Sequence, residues 1–507
     1  MSRVDYKSSL TCLLSLIMLQ ACAVKPKPYS MQQYAEQARF NRAQLTQNQQ
    51  PITSPINLYQ AMARALKNNL SYRVKIAEAG LRIAELNLAH YSMLPKVVAD
   101  SSYTGRNNKL ASSSFNLSTN SPNFSESTSQ DKKQKSVGLS VSWNILDFGL
   151  SYVRARQAGD KALISAELQR KVSQRLLEEV RNTYWRAVSY QRLSGRLEHL
   201  ASQIRRARAN NLYISTSGVT SKTTALFGER ELVRAASTIK NLHRDIAVAK
   251  AKLAELMNVM PGTPFKLAMA HQTQMPMKFS MSLEAMMTRA IRDRAELHEN
   301  WYQQRINQHE ATAAMIELLP SLEAYAGPKW DSNSFLLNNN WVSWGAKASW
   351  NLMRVFRYPA KSRMLKHQDE VLRARALALT VSVMTQVHIS RINYYQRRQE
   401  LQAAADLRSV QTRLLKQLRN DEKANLISEN KLLSEEMNSL ITEAKYDIAH
   451  AEAQAAYANM YATIGWDPYV SLNNSMPLKD LEDALRRSWK YPDSIQPQKI
   501  ALVAQDN

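Results

Sequence analysis

Side chains able to do covalent or acid–base chemistry are few and scattered along this chain of 507 residues. His298-Glu299 and His309-Glu310 are adjacent pairs, but neither is followed by the second histidine that a zinc-binding helix needs. No glycine loop suited to a phosphate and no paired cysteine ligands occur. The two histidine pairs read as surface groups on helices, and no catalytic residue, metal or cofactor is expected. Only Cys12 and Cys22 carry thiols.

The surroundings of Cys22 suggest a reaction. Arg3 and Lys7 precede an apolar run from Leu10 to Leu19, which is too short to span a bilayer and reads as a secretory signal. Leu19, Gln20 and Ala21 then lead to Cys22. Apart from Gln20, an unusual occupant of its place, this resembles a bacterial lipobox, in which the cysteine becomes the lipidated first residue. An ordinary signal peptide with a chance cysteine is the alternative. Cleavage before Cys22 leaves one thiol, so no intrachain disulfide is possible. No other apolar run reaches the ~18 residues of a membrane helix, so a membrane-embedded mature chain has to use strands.

The formal net charge is +24. Lys and Arg are spread along the chain, whereas a nucleic-acid binder concentrates them on one patch with interleaved aromatics. No nucleic-acid partner is expected, and a basic surface facing anionic lipid or solute fits as well.

Two segments alternate with period two. In VGLSVSWNILDFG (137–149), Val137, Leu139, Val141, Trp143 and Ile145 fall on one side, opposite Gly138, Ser140, Ser142 and Asn144. In WVSWGAKASWNLM (341–353), Val342, Trp344, Ala346, Ala348, Trp350 and Leu352 share one side. One greasy face and one small polar face suit a strand between lipid and a wet lumen. A small soluble sheet buried on one face is the alternative. Trp143, Trp330, Trp341, Trp344 and Trp350 all lie in or beside strands, as expected near a bilayer interface.

These segments belong to an internal repeat. Residues 58–95 align without gaps with 283–320, and both copies end in Leu-Pro (Leu94-Pro95, Leu319-Pro320). Trp143-Asn144 then matches Trp350-Asn351 at an offset of 207, which holds to Pro261 and Pro468. The residues missing from the second copy fall in a Ser/Asn-rich stretch of the first, 111–130, which reads as a loop. Each copy predicts a helix of about 37 residues ending at Leu-Pro, a short strand, a loop, the alternating strand and a very long helical stretch. That stretch breaks once, at Gly218 and at Asn425, the residue types that most readily adopt the left-handed conformation ending a helix. From about Ser151 to Ser217 the helix measures ~100 Å at 1.5 Å per residue. The return helix (219–260) and the first helix (58–94) add up to about that length, so they are expected to stack end to end beside it. Their joint falls near the proline-containing segments 23–57, 262–282 and 469–480, a collar on a rod. LEDALRR (481–487) echoes the start of each repeat.

Together, the leader and lipobox, the doubled order of helix, strand, strand, helix, tip and helix, the Leu-Pro stops and the Trp-Asn pairs resemble the TolC family of outer-membrane efflux and export ducts. The resemblance covers about 58–468. It implies a mainly helical chain with a small β part, assembled as a homotrimer. Four strands per chain form a twelve-stranded outer-membrane barrel, and a long periplasmic helical barrel continues it. The resemblance divides the chain into a leader (1–21), an N-terminal periplasmic segment (22–57), repeat one (58–262), an equatorial linker (263–282), repeat two (283–468) and an equatorial tail (469–507). It implies outer-membrane lipid around the barrel, a periplasmic adaptor at the tips, and an inner-membrane RND or ABC pump, in drug efflux or type I secretion. On the family tip pattern, Gly218, Val219 and Leu226 match in the first repeat. Asn425, Leu426 and Leu433 match in the second, with Asn in place of Gly. Leu226 and Leu433 read equally well as residues packing the two arms of each hairpin. One departure concerns the entrance, often ringed by acids in the family. Here Arg413, Lys416 and Arg419 precede Asp421 and Glu422, a set that favours anions over cations, or is simply a solvated face. A lipid-anchored periplasmic coiled-coil adaptor or scaffold is the competing function.

Overall fold

The structure, a computed structural model, describes residues 26–45, 47, 49–216, 221–260, 262–268, 279, 281–427, 429–466 and 476–490. The leader with Cys22, and Gly218 and Val219 of the first tip, lie outside the described residues. The described chain is mostly helical with some sheet. In order it forms α1 (Met31–Gln44), α2 (Leu58–Asn68), α3 (Leu70–Tyr91), β1 (Lys96–Gly105), β2 (Ser112–Asn116), β3 (Ser121–Ser127), β4 (Lys133–Asn144), α4 (Ile145–Thr216) and α5 (Lys222–Leu256). Next come α6 (Leu283–Asp293), α7 (Ala295–Ile316), β5 (Ser321–Asp331), β6 (Asn340–Ser349), α8 (Met353–Lys423), α9 (Glu429–Thr463) and α10 (Leu478–Lys490). No described helix is long and apolar enough to cross a membrane.

Three expectations need correction. The single helix at 58–94 is two helices, because Asn69 leaves the helical region (φ −61°, ψ 119°) and its side chain caps α3 by accepting from Tyr72 N at 3.0 Å. Arg294 makes the same break between α6 and α7 (φ −75°, ψ 129°). One extended residue redirects the axis without disturbing the apolar period, so periodicity did not show it. Second, the Ser/Asn-rich stretch is not all loop: β2 and β3 pair as an exposed hairpin apart from the main sheet. Asn120 supplies a positive φ of 47° in its turn. Third, α4 starts at Ile145, not near Ser151. Asn144 Oδ1 accepts from Leu146 N (3.0 Å) and Asp147 N (3.2 Å), capping the helix at the strand's last residue. Asn351 Oδ1 receives Met353 N at 3.2 Å in the second copy. The Asn of each Trp-Asn pair thus helps turn strand into helix, directly at Asn144 and across the short link 350–352 in the second copy.

The helices stand in columns. α4 and α8, of 72 and 71 residues, are each roughly 107 Å long. α3 packs on the strand-proximal part of α4, where Gln169 Nε2 donates to Tyr72 OH. α5 packs on its distal part, where Arg208 faces Glu229 at 3.5 Å. On the other side, α7 and α9 divide α4 in the same way: Arg305 Nε donates to Asp160 at 2.8 Å, and buried Asp447 receives Arg192 and Ser189 Oγ. Desolvation pushes the Asp447 carboxyl up despite these partners. α8 packs against α7 and α9. α5 ends at Asn258 (φ 56°) with Val259 N donating to Ala254 O at 2.7 Å. α9 ends at Gly465 (φ 72°) with Trp466 N donating to Tyr461 O at 3.0 Å. Gly465 has a second reason to be glycine, since a Cβ there would press on the Asp293 backbone at 2.7 Å.

The largest core sits at the waist, where the distal and proximal helices meet. Ile56 N donates to Lys266 O at 2.9 Å and Ala268 N to Ile56 O at 2.8 Å, tying two irregular segments together. Buried Tyr184 of α4 reaches Ile56 O (3.2 Å) and Ala268 O (3.1 Å) through its hydroxyl. α10, which contains LEDALRR, packs on α2, and the Arg181 guanidinium lies 4.2 Å from its Trp489 ring. A second core joins α4, α5 and α9 through Leu193, Leu197, Ile204, Ile239 and Leu440.

His298 and His309 are half-buried and partnered rather than free on the surface. His298 is held between Glu167 Oε1 and Arg292 O, each at 2.6 Å, and His309 lies 3.6 Å from Asp160. The bond to Glu167 is the main cause that raises the His298 pKa, with burial opposing it.

Two tests follow from the waist. Tyr184→Phe removes a buried donor that serves two carbonyls and is expected to cost about 1–2 kcal/mol, read as a lower thermal midpoint in detergent. The folded pKa of His298 lies above its ordinary 6.5. Its stabilising contribution is therefore complete below about pH 6.5 and fades as pH rises through the raised value. The midpoint should fall as pH rises from about 6.5 through the raised pKa, and His298→Gln should remove that part of the slope.

Candidate membrane wall and helical tip

The main sheet is antiparallel in the order β1-β4-β5-β6. Val141 pairs with Val97 on one side and Ala326 on the other, and Ala326 pairs with Trp344. This register collects one face: Val97 and Ala99; Val137, Leu139, Val141 and Trp143; Leu322, Ala324, Ala326, Pro328 and Trp330; Val342, Trp344, Ala346 and Ala348. From Leu322 to Trp330 the uncharged face rises about 27 Å, close to the ~25 Å apolar band of an outer-membrane barrel. The other face carries Lys96, Asp100, Ser136, Gly138, Ser140, Ser142, Glu323, Lys329, Ser343, Gly345 and Lys347.

Among the described residues nothing covers the apolar face: Val141 is 43% exposed, Trp143 46% and Trp344 79%. Trp143 meets Phe148 edge-on, with centroids 5.5 Å apart, at the junction with α4. Trp350 lies just beyond β6, its indole N–H donating to Leu318 O at 2.9 Å, and Trp341 falls on the polar face. Among the described residues β1 pairs only with β4, and β6 only with β5, so the outer edge of each is bare.

Gly327 was not singled out by the sequence. It stands where β4 and β5 come closest, and a Cβ there would collide with the Leu139 carbonyl oxygen. Beside it is Pro328, which has no N–H to donate to the ladder. Its signal was a glycine within an otherwise extended run, which marks close backbone approach.

At the second tip Asn425 adopts φ 58°, with its N–H on Glu422 O at 2.9 Å and Leu426 N on Asp421 O at 2.8 Å. Leu426 (74% exposed) and Leu226 (62%) stand free of the hairpins. Leu433 is buried in the second core, which draws on α4, α5 and α9, and so packs its hairpin against the first one rather than joining its own two arms. Of the entrance charges, Arg419 reaches across to Glu436 Oε1 (2.8 and 3.2 Å). Asp421 accepts from Gln417 at 2.9 Å, and Glu422 is half-buried. Arg413 and Lys416 are exposed, with no acidic partner within 4.0 Å among the described residues. The ion pairs joining α4 to α9, including Arg196 with Glu443, were not foreseen, because they connect positions far apart in the chain.

A four-stranded open sheet continued by paired helices of this length is the fold of TolC-family outer-membrane channels. The solved structures most informative here are the Campylobacter jejuni CmeC outer membrane channel (12% identity, 92% of this chain and 97% of that one, TM-score 0.61), CusC, described by its transmembrane channel formation (15%, 83% and 96%, 0.60), and the open state of the Neisseria gonorrhoeae MtrE outer membrane channel (14%, 80% and 88%, 0.59). At these identities the likeness is one of fold. No family model matches the chain, and no curated protein matches it significantly.

Gly327→Val should separate β4 from β5 while leaving the helices intact. Hydrogen exchange is expected to show lost amide protection in 133–144 and 321–331, with the helical circular dichroism retained. Protection equal to that of the unaltered chain would count against the close approach.

Proposed function

We propose that this chain is one subunit of a passive duct through the outer membrane and periplasm, the exit component of a tripartite efflux pump or type I secretion system. The observation that carries the reading is a wall with two matching unfinished sides. The bare β1 edge stands above α3, whose Leu70, Val74, Leu81 and Leu88 are exposed at near-heptad spacing. The bare β6 edge stands above α8, with Val381, Ile392, Val410 and Leu414 exposed. In hydrocarbon, unpaired strand edges are prohibitive. Head-to-tail copies satisfy them, because a heterologous interface closes into a ring. Three copies with four strands each make a twelve-stranded barrel. The uncharged face then meets lipid, and the Gly/Ser/Lys face lines water.

Cys22, once lipidated, would anchor the chain in the outer membrane. The tips, through Gly218, Val219, Leu226, Asn425 and Leu426, would dock a periplasmic adaptor by apolar helix-groove contact. Energy would come from an inner-membrane RND or ABC pump, since no catalytic constellation is assigned to this chain.

The test is reconstitution. The purified protein is expected to run as a trimer in detergent and to conduct in planar bilayers. Val141→Lys, on the lipid face, should cost about 2–4 kcal/mol and reduce outer-membrane assembly, whereas its neighbour Ser140→Lys, on the lumen face, should be tolerated. A monodisperse protein without detergent that never conducts would favour the lipid-anchored scaffold.

A further inference from the structure

Resting on the duct reading, we propose that the outer rim of the barrel binds phosphorylated lipid headgroups, at a site formed on each copy by Lys133 and Lys135 of β4 with Tyr103 of β1. The register fixes the face these residues share. Lys133 and Lys135 are in step with Val137, Leu139, Val141 and Trp143, and pairing sets Tyr103 opposite Lys135 and Gly105 opposite Lys133. Exposure alternates along β4 with the same period: Lys133, Lys135, Val137, Leu139 and Val141 are exposed, and the residues between them are more covered. Within the four strands of the main sheet these two lysines are the only charged residues on the face assigned to lipid. Both lie at the end remote from the helices, which is the cell-surface end when the helices point into the periplasm. The helix-side end of the same face closes on Trp143, Leu322 and Ala348 without a cation.

Counted from Trp143, Lys135 lies about 27 Å and Lys133 about 34 Å along the strand. At a barrel tilt of about 40° these become heights of about 21 and 26 Å, at the outer boundary of an apolar band ~25 Å tall. A lysine is costly in the middle of that band and nearly free at its edge, where its long stem lets the ammonium rise to the headgroups. Acids do not share the face. Asp100 and Asp331 fall on the lumen side, opposite Gly138 and Ser136. Asp131 is turned to the β5–β6 link, accepting from Ser334 N at 2.6 Å and from its hydroxyl at 3.0 Å. Lys96, at the other end of the sheet, reaches Asp147 at 3.8 Å, whereas Lys133 and Lys135 have no acidic partner within 4.0 Å among the described residues. The site also stays open in a ring. β4 is an interior strand, paired with β1 and β5 of its own chain, so a neighbouring copy does not cover it. Gly105 sets no side chain over Lys133, and Ser332 fixes the Lys135 backbone, its hydroxyl accepting from Lys135 N at 2.8 Å and its N–H donating to Lys135 O at 2.9 Å. Two ammonium stems that start about 7 Å apart, beside a phenol and above Val137 and Leu139, match one kind of occupant. Phosphate meets the cations while the acyl chains run down the apolar face.

The test is native mass spectrometry of the detergent-purified trimer titrated with lipid A, with the same lipid stripped of its phosphates, and with inorganic phosphate. Lipid A is expected to bind in preference to its dephosphorylated form. Lys133→Ser/Lys135→Ser should weaken lipid A binding by about tenfold or more, whereas Lys329→Ser, on the lumen face of the same rim, should leave it unchanged. Helical circular dichroism and trimer mass verify that the variants are folded. Equal binding of the dephosphorylated lipid, an unchanged affinity in the folded double variant, or an equal loss in Lys329→Ser would overturn the site. Displacement of lipid A by inorganic phosphate alone would overturn a lipid occupant in favour of a free anion. Conductance of the same preparation in planar bilayers is measured alongside: a conducting trimer without phosphate preference loses the headgroup site and keeps the duct, while a protein that never conducts overturns the duct reading and the site with it.

Discussion

A sheet of four strands has two edges. In water each bare N–H and C=O finds a solvent partner, but in hydrocarbon each costs several kcal/mol. This constraint explains the architecture. β1 and β6 each use one side, so the other side of each needs a strand from elsewhere. The helices repeat the problem in apolar terms, with Val410 and Leu414 of α8 and Leu81 and Leu88 of α3 exposed. The proposed ring closure by copies would answer both demands at once and would give the polar face of the sheet a continuous lumen.

The waist is where such a long wall becomes rigid. α4 and α8 are single rods, while α3 with α5, and α7 with α9, reach the same height in two pieces. The pieces need a joint, and the joint holds the largest core. Backbone groups that the irregular segments would leave unpaired are satisfied there by Ile56, Lys266, Ala268 and the Tyr184 hydroxyl. Arg294 fastens the α6–α7 break to the end of α9 through the Thr463 carbonyl at 3.3 Å. Gly465 permits the same close approach.

Beyond the waist the interior turns partly polar. Ser189, Arg192 and Arg196 of α4 meet Asp447 and Glu443 of α9. A buried ion pair is weak evidence for stability but sets register well. Here it opposes sliding between two rods whose apolar contacts repeat along their length. Arg419 and Glu436 do the same between the arms of the second tip.

Period-two alternation, Leu-Pro stops, the turn-forming Asn425 and the doubled order of elements were legible in the sequence, because each is a local property of neighbouring residues. They were enough to place the four strands of the main sheet, the rods and the second tip. What the sequence could not decide depends on contacts between distant segments. Asn69 and Arg294 break helices whose apolar period runs on unbroken. The β2–β3 hairpin hides in a composition that reads as loop. Leu433 is drawn into the core that joins α9 to α4, and Arg419 into an ion pair with Glu436, while Leu426, Arg413 and Lys416 stay exposed, a division that follows from which side of each helix meets its neighbour. Local chemistry sets which residues can form strand, helix or turn; only tertiary packing decides which of their faces remain for lipid, solute or a second copy.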